Sequence, residues 1–120
     1  MYTIYLVTNL IKINKTMILT TTEKIPNKEI IEILGVARGS TVRARNFGHD
    51  IFAGFKNLIG GEIEEYTKLQ AESREQAMSR MQKDAERMGA DAILNIRLTT
   101  SMVMQGASEI LAYGTAVKLK

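Results

Sequence analysis

The sequence predicts an α+β fold in which an antiparallel sheet packs on helices. Strand-like patterns occupy both ends of the chain, and helical patterns fill residues 50–88 between them. Segregated strands and helices are typical of α+β proteins. With 120 residues, 45% hydrophobic and 24% charged, the chain has the composition of a single globular domain with one core.

Two strands are predicted before the helices. Residues 17–22, "MILTTT", form a short strand pattern, and the turn residues "EKIPNKE" follow it. Residues 30–46 are rich in β-branched residues and predict a longer strand, with Gly35 and Gly39 as bulge or turn points. Arg43 and Arg45 alternate with small or apolar residues, so both arginines are expected on one face.

Two helices are predicted next. In "HDIFAGFKNLIGG" the apolar residues recur at helical spacing, with Asp50 in the first turn and Gly60 at the C-terminal cap. A longer helix is predicted over residues 63–88, and Gly89 stands where a helix commonly ends. The apolar stripe of this longer helix contains Tyr66, Leu69, Ala77, Met81, Ala85 and Met88.

The last third predicts an antiparallel hairpin of two long strands joined by "QGAS". In the second strand, larger residues from Leu111 to Leu119 alternate with smaller or polar ones. Strict alternation in the first strand puts Ala92, Leu94, Ile96, Leu98, Thr100, Met102 and Met104 on one face, and Asn95, Arg97, Thr99 and Ser101 on the other.

Composition argues against several classes of protein. The net charge of +3, from 16 basic and 13 acidic residues, is too small to indicate a nucleic-acid partner. The absence of cysteine excludes disulfides, thiol catalysis and thiolate metal sites, and it is compatible with a cytoplasmic location. The apolar start of the chain meets Lys12 too soon for a membrane span. No nucleic-acid or membrane partner is therefore predicted.

A metal site is one hypothesis for the middle of the chain. His49, Asp50 and Glu62 are potential ligands of a divalent metal, although a tight zinc site needs three or four donors. The alternative is that Asp50 compensates the helix dipole beside a capping position. A symmetric oligomer would repeat His49 around its axis and so supply a ring of donors. No resident cofactor is predicted, and a divalent metal remains the alternative.

An anion site is a second hypothesis. Arg43 and Arg45 are the ligand candidates, and they would be joined by Arg38 and Arg97 if all four converge on one sheet face. The alternative is that these arginines pair with acids or face solvent. No nucleophile motif occurs, so catalysis is not expected; a small enzyme with a site shared between subunits is the alternative.

Several strings in order make the chain resemble the YbjQ-like family: "MILTTT", "DIFAGFKNLIGGE", "EYTKL", "RMGADAILNIR" and "MQGASEILAYGTAVKL". The resemblance covers residues 17–120, so residues 1–16 are expected to be an N-terminal extension to a single domain. It implies a dodecin-like α+β subunit that assembles as a homopentameric ring. The family is described as heavy-metal-binding, but it has no ligand motif whose residues can be matched to positions of this chain. The expected partner is therefore a further copy of the chain itself.

Overall fold

A four-stranded sheet packs against a long helix in the computed structural model, which describes residues 16–44 and 64–120. The strands lie in the order β1-β3-β4-β2. The predicted α+β class is confirmed, and the helix predicted within "HDIFAGFKNLIGG" lies outside the described residues. In chain order the elements are β1 (Ile18–Leu19), β2 (Ile30–Ala44), α1 (Glu64–Arg87), β3 (Ala92–Met104) and β4 (Ala107–Leu119).

The sheet is mixed, whereas a purely antiparallel sheet was predicted. Strand β4 runs antiparallel to β2 and to β3, as the predicted hairpin requires, but β1 pairs parallel with β3. The difference arises from the connection between β1 and β2, which does not form a hairpin. In this connection Ile25 packs against Leu94 and Val117 of the sheet, and the chain then enters β2 at the opposite edge.

The core between α1 and the sheet is rich in alanine. Ala37, Ala77, Ala85 and Ala112 are completely buried there, and the larger completely buried side chains of this core are Met81 and Ile93. Small side chains on both layers allow the helix to approach the sheet closely. The apolar stripe predicted for the long helix is confirmed at its three buried positions, Ala77, Met81 and Ala85.

Gly39 makes the close approach of α1 possible. A Cβ atom there would overlap the backbone of Ala77 and Met81 and lie 2.7 Å from the carbonyl carbon of Arg80. The prediction that Gly39 marks a bulge or turn is wrong, because it pairs in regular register with Ala112. The prediction is confirmed for Gly35, which has a φ of 141° at a register shift of β2.

The C-terminus of α1 is capped as predicted. Gly89 has a φ of 81°, its N–H donates to the carbonyl of Glu86, and the N–H of Ala90 donates to the carbonyl of Ala85. These two bonds form a Schellman motif, which satisfies carbonyls that the helix end leaves free. The chain then enters β3 directly.

A bulge in β3 overturns the predicted alternation of that strand. Asn95 has a φ of 53°, and the register shifts between Leu94, which pairs with Thr115, and Arg97, which pairs with Tyr113. Two residues of β3 therefore oppose one of β4, so the side chains from Arg97 to Met102 change face. A second register shift between Met102 and Met104 reverses the change for Met104. Leu98 lies on the same face as α1, while Leu94 lies on the other face.

The second sheet face carries its own small apolar cluster. Ala92, Leu94 and Val117 are buried there, and Ile18, Ile25 and Leu119 pack against them. The larger residues of β4 alternate onto this face as predicted, and the small ones lie beneath α1. Within the described ranges, no helix has the length and hydropathy needed to cross a membrane.

Candidate functional site

Arg43 lies near the end of β2, on the face that carries α1. Its Nη2 donates to the Oε1 of Gln76 at 3.0 Å, and its Nη1 lies 3.9 Å from the Oε2 of Glu72. The Arg43 side chain is 33% exposed and that of Glu72 is 52% exposed. This arginine therefore ties the end of β2 to α1, and a neighbouring carboxylate already compensates part of its charge.

A buried hydroxyl lies two residues before Arg43 on the same face. Thr41 is 2% exposed, and its Oγ1 has no hydrogen-bond partner among the described residues. Such a group costs about 1–3 kcal/mol when it is left unpaired. Together with buried Ser73 of α1, it makes this end of the helix–sheet interface more polar than the alanine-rich centre.

Most of the site residues predicted from the sequence fall outside the described ranges. His49, Asp50, Glu62 and Arg45 all lie in residues 45–63, so their predicted roles stay predictions. In residues 16–44 and 64–120, no group of three or more histidine or acidic side chains is placed to hold a metal ion.

Of the three described arginines that the anion-site hypothesis names, one pair lies on a common sheet face. Arg38 of β2 and Arg97 of β3 each pair in register with Tyr113 of β4, on the face opposite α1. We call these three residues the Arg–Tyr–Arg row. Arg43 lies on the helix-facing side because it is an odd number of residues from Arg38 along a regular stretch of strand. Arg43 therefore does not meet the condition of the anion-site hypothesis, because it does not share a face with Arg38 and Arg97.

Sequence reasoning missed Tyr113, and the bulge explains why. Without the extra residue in β3, Arg97 would lie on the face of α1, away from Tyr113. The available signal was Asn95, because asparagine adopts a left-handed conformation more readily than most residues and so suits a bulge.

Side chains of α1 cover the middle of the free edge of β2. Strand β2 lies at one border of the sheet, and the N–H of Arg38 donates to the Oδ2 of Asp84 at 3.0 Å. The Nη1 of Arg80 donates to the carbonyl of Ser40 at 2.6 Å. Two backbone groups that face away from β4 are thus satisfied within the chain, which discourages pairing with another strand there.

The other border of the sheet is less protected. Backbone bonds from residues 18–22 accompany β3 as far as Ile96, and among the described residues none continues beyond it. We call residues 97–104 the outer segment of β3. It carries apolar side chains that are strongly exposed: Leu98 at 46%, Met102 at 80% and Met104 at 65%. Leu98 and Met102 are exposed because they lie on the helix-facing side and α1 lies mainly over β2 and hardly over β3. Met104 lies on the other face, beyond a second register shift.

Comparison with known proteins places the chain among relatives of similar length. A family model described as "Putative heavy-metal-binding" matches residues 17–120. A UPF0145 protein of Archaeoglobus fulgidus is 57% identical over 106 residues, covering 88% of this chain and 98% of the relative. A UPF0145 protein of Thermosipho africanus is 54% identical over 104 residues, covering 87% of this chain and all of the relative.

A solved structure shares the fold. The crystal structure of a protein with unknown function from Pediococcus pentosaceus superimposes with a TM-score of 0.62. The match covers 87% of this chain and 98% of that chain, at 16% sequence identity. The architecture described above is therefore shared with a protein that has little sequence in common with this one.

Proposed function

This chain belongs to the YbjQ-like family, and we propose that it acts as a non-enzymatic cytoplasmic protein that assembles into a homopentameric ring. The observation that carries the proposal is the outer segment of β3. In this segment the outer strand edge has no backbone partner among residues 16–44 and 64–120, and its apolar side chains are exposed. Exposed apolar patches of this kind mark interaction surfaces, and unpaired edges invite pairing with another strand.

We propose that the outer segment, at one border of the sheet, contacts a different surface of the next copy, because such a heterologous contact generates a ring where the rotation closes. The middle of the β2 edge at the other border is not that surface, since Asp84 and Arg80 of α1 already bind its backbone groups. Five copies are proposed because the YbjQ-like resemblance implies a pentamer.

The mass of the assembly in solution tests the proposal. Size-exclusion chromatography with light scattering should give about 67 kDa, five times the chain mass of 13.4 kDa. The variant Leu98→Lys places a charge on the exposed apolar side chains and should dissociate the ring while the far-UV circular dichroism spectrum is retained. Ser79→Lys is the matched control, because Ser79 is exposed on the side of α1 away from the sheet. A monomeric wild-type chain at micromolar concentration would refute the proposal.

A metal-binding role is the second candidate, favoured by the description of the family. The ligands we propose are His49, Asp50 and Glu62, brought together with their copies around the ring. Calorimetric titration with zinc, copper and nickel should then give saturable binding that His49→Ala removes. The matched control is Asn57→Ala, which also changes a polar residue within 45–63 and is not a proposed ligand. Heats equal to those of dilution would eliminate this candidate.

A further inference from the structure

The Arg–Tyr–Arg row crosses three adjacent strands of the sheet. Arg38 and Arg97 pair in register with Tyr113 from its two sides, and all three residues are exposed. Neighbouring strands are about 4.8 Å apart, so the Cα atoms of the two arginines lie about 10 Å from each other with the tyrosine between them. Two cationic residues, one on each neighbouring strand, thus flank one tyrosine on the face that α1 does not cover.

Among the described residues, neither arginine has a carboxylate partner for its guanidinium charge. The Nη1 of Arg97 donates to the carbonyls of Thr21 and Ile96, at 3.2 and 2.8 Å, and both acceptors are neutral. For Arg38, the described residues offer its guanidinium no hydrogen bond and no ion pair, since Asp84 binds its backbone N–H. One guanidinium is therefore anchored and the other is free to move.

Acidic side chains of the sheet lie away from the row. On this face of β4 the nearest is Glu109, four residues from Tyr113 and therefore about 13 Å along the strand. The two positive charges consequently add rather than cancel over Tyr113. An anion that settled between them would meet two planar forks of donors, which suit phosphate and carboxylate groups.

The surroundings of the row combine hydroxyl groups with apolar surface. On one side it is bordered by Ser40, Leu111 and Thr99, and on the other by Val36, Thr115 and Leu94. The tyrosine ring offers a face on which a planar group can stack, and the neighbouring hydroxyls can bond a sugar. A phosphomonoester carries a charge of about −1.5 to −2 at pH 7, which matches the two guanidinium charges.

From this arrangement we infer that the Arg–Tyr–Arg row binds a nucleoside monophosphate. Arg38 and Arg97 hold the phosphate, and the base stacks on Tyr113. The inference goes beyond ring assembly, because it rests on a tyrosine and two charged side chains and on none of the exposed apolar side chains of the outer segment, although Arg97 is the first residue of that segment. A carboxylate ligand fits less well, since a single negative charge leaves one guanidinium uncompensated.

Titration of adenosine monophosphate into the full-length wild-type protein tests the inference. Calorimetry should show saturable binding with a millimolar or tighter dissociation constant, and Arg38→Ala should weaken it about tenfold or more. Tyr113→Leu should weaken binding of adenosine monophosphate but leave that of inorganic phosphate unchanged. Arg74→Ala is the matched control: it removes the same charge from an exposed helical residue and should bind like the wild type.

Arg97 requires a second variant because it also anchors the carbonyl of Thr21. Arg97→Lys keeps a donor and the charge but removes the planar fork, so it should fold and still bind more weakly. Three outcomes would overturn the inference: no saturable binding, an equal loss in Arg74→Ala, or benzoate binding as tightly as adenosine monophosphate. A fourth outcome would also overturn it: Arg38→Ala dissociates the ring but leaves the affinity for adenosine monophosphate unchanged. The row would then be a contact between subunits.

Discussion

The Oδ2 of Asp84 accepts a hydrogen bond from the backbone N–H of Arg38 at 3.0 Å, across 46 residues of sequence. One turn earlier on α1, Arg80 donates to the carbonyl of Ser40. The helix thereby supplies an acceptor for the N–H of Arg38 and a donor for the carbonyl of Ser40, which are two backbone groups at the free edge of β2. This pair of contacts orients α1 along β2 and blocks the middle of that edge.

We predict that Asp84→Ala lowers the free energy of unfolding by about 1–2 kcal/mol. The loss is moderate because the Asp84 side chain is 25% exposed, so water can reach the N–H of Arg38 once the carboxylate is removed. Urea denaturation at fixed protein concentration measures the change. Glu75→Ala, which removes an exposed acid of the same helix, should change stability by less than about 0.5 kcal/mol. Equal losses in both variants would argue against the edge contact.

Gly39→Ala should destabilise the protein by about 1–3 kcal/mol, because the added methyl group would overlap the backbone of α1. Backbone cannot move aside as a flexible side chain can, so the helix would have to shift away from the alanine-rich interface. Thermal unfolding followed by circular dichroism gives the measurement. In Ser40→Ala the change falls on the opposite face of the same strand, and we expect a near-neutral effect. A Gly39→Ala variant as stable as the wild type would show that the helix does not approach β2 this closely.

Asn95→Val should lower stability by about 1–2 kcal/mol, whereas Asn95→Gly should be close to neutral. The position has a φ of 53°, which a β-branched residue adopts only with strain, and its side chain is exposed, so little packing is lost. Chemical denaturation of both variants separates this conformational effect from a general intolerance of substitution. If valine and glycine cost the same, the left-handed conformation at the bulge is not what the position requires.

Periodicity predicted the long helix, its glycine cap and the terminal hairpin, because each depends on local sequence. The helix stripe places Ala77, Met81 and Ala85 at helical spacing, and Gly89 is suited to the left-handed cap. What periodicity could not supply was the register between strands. The bulge at Asn95 changes the face of the β3 residues from Arg97 to Met102, and the local alternation of apolar and polar residues does not indicate it.

The candidate site was harder to predict than the fold for the same reason. The pairing of Arg38 and Arg97 around Tyr113 depends on three strands that are distant in sequence, and on the bulge that turns Arg97 to that face. The sequence suggested Arg43 instead, because it alternates clearly with its neighbours. The contact of Arg43 with Gln76 depends on how α1 packs on β2, and the alternation of residues within β2 does not indicate that packing.

Oxidation by hydrogen peroxide should distinguish the methionines of the free chain from those of the proposed ring. Met102 is 80% exposed and Met104 is 65% exposed in the single chain, while Met81 is completely buried. If the outer segment of β3 is covered in the ring, both exposed thioethers should oxidise more slowly in the wild type than in Leu98→Lys, as measured by mass spectrometry of peptides. Met81 should stay unoxidised in both proteins and serves as the internal control for folding. Equal rates at Met102 in an intact ring would mean that the subunits meet through another surface.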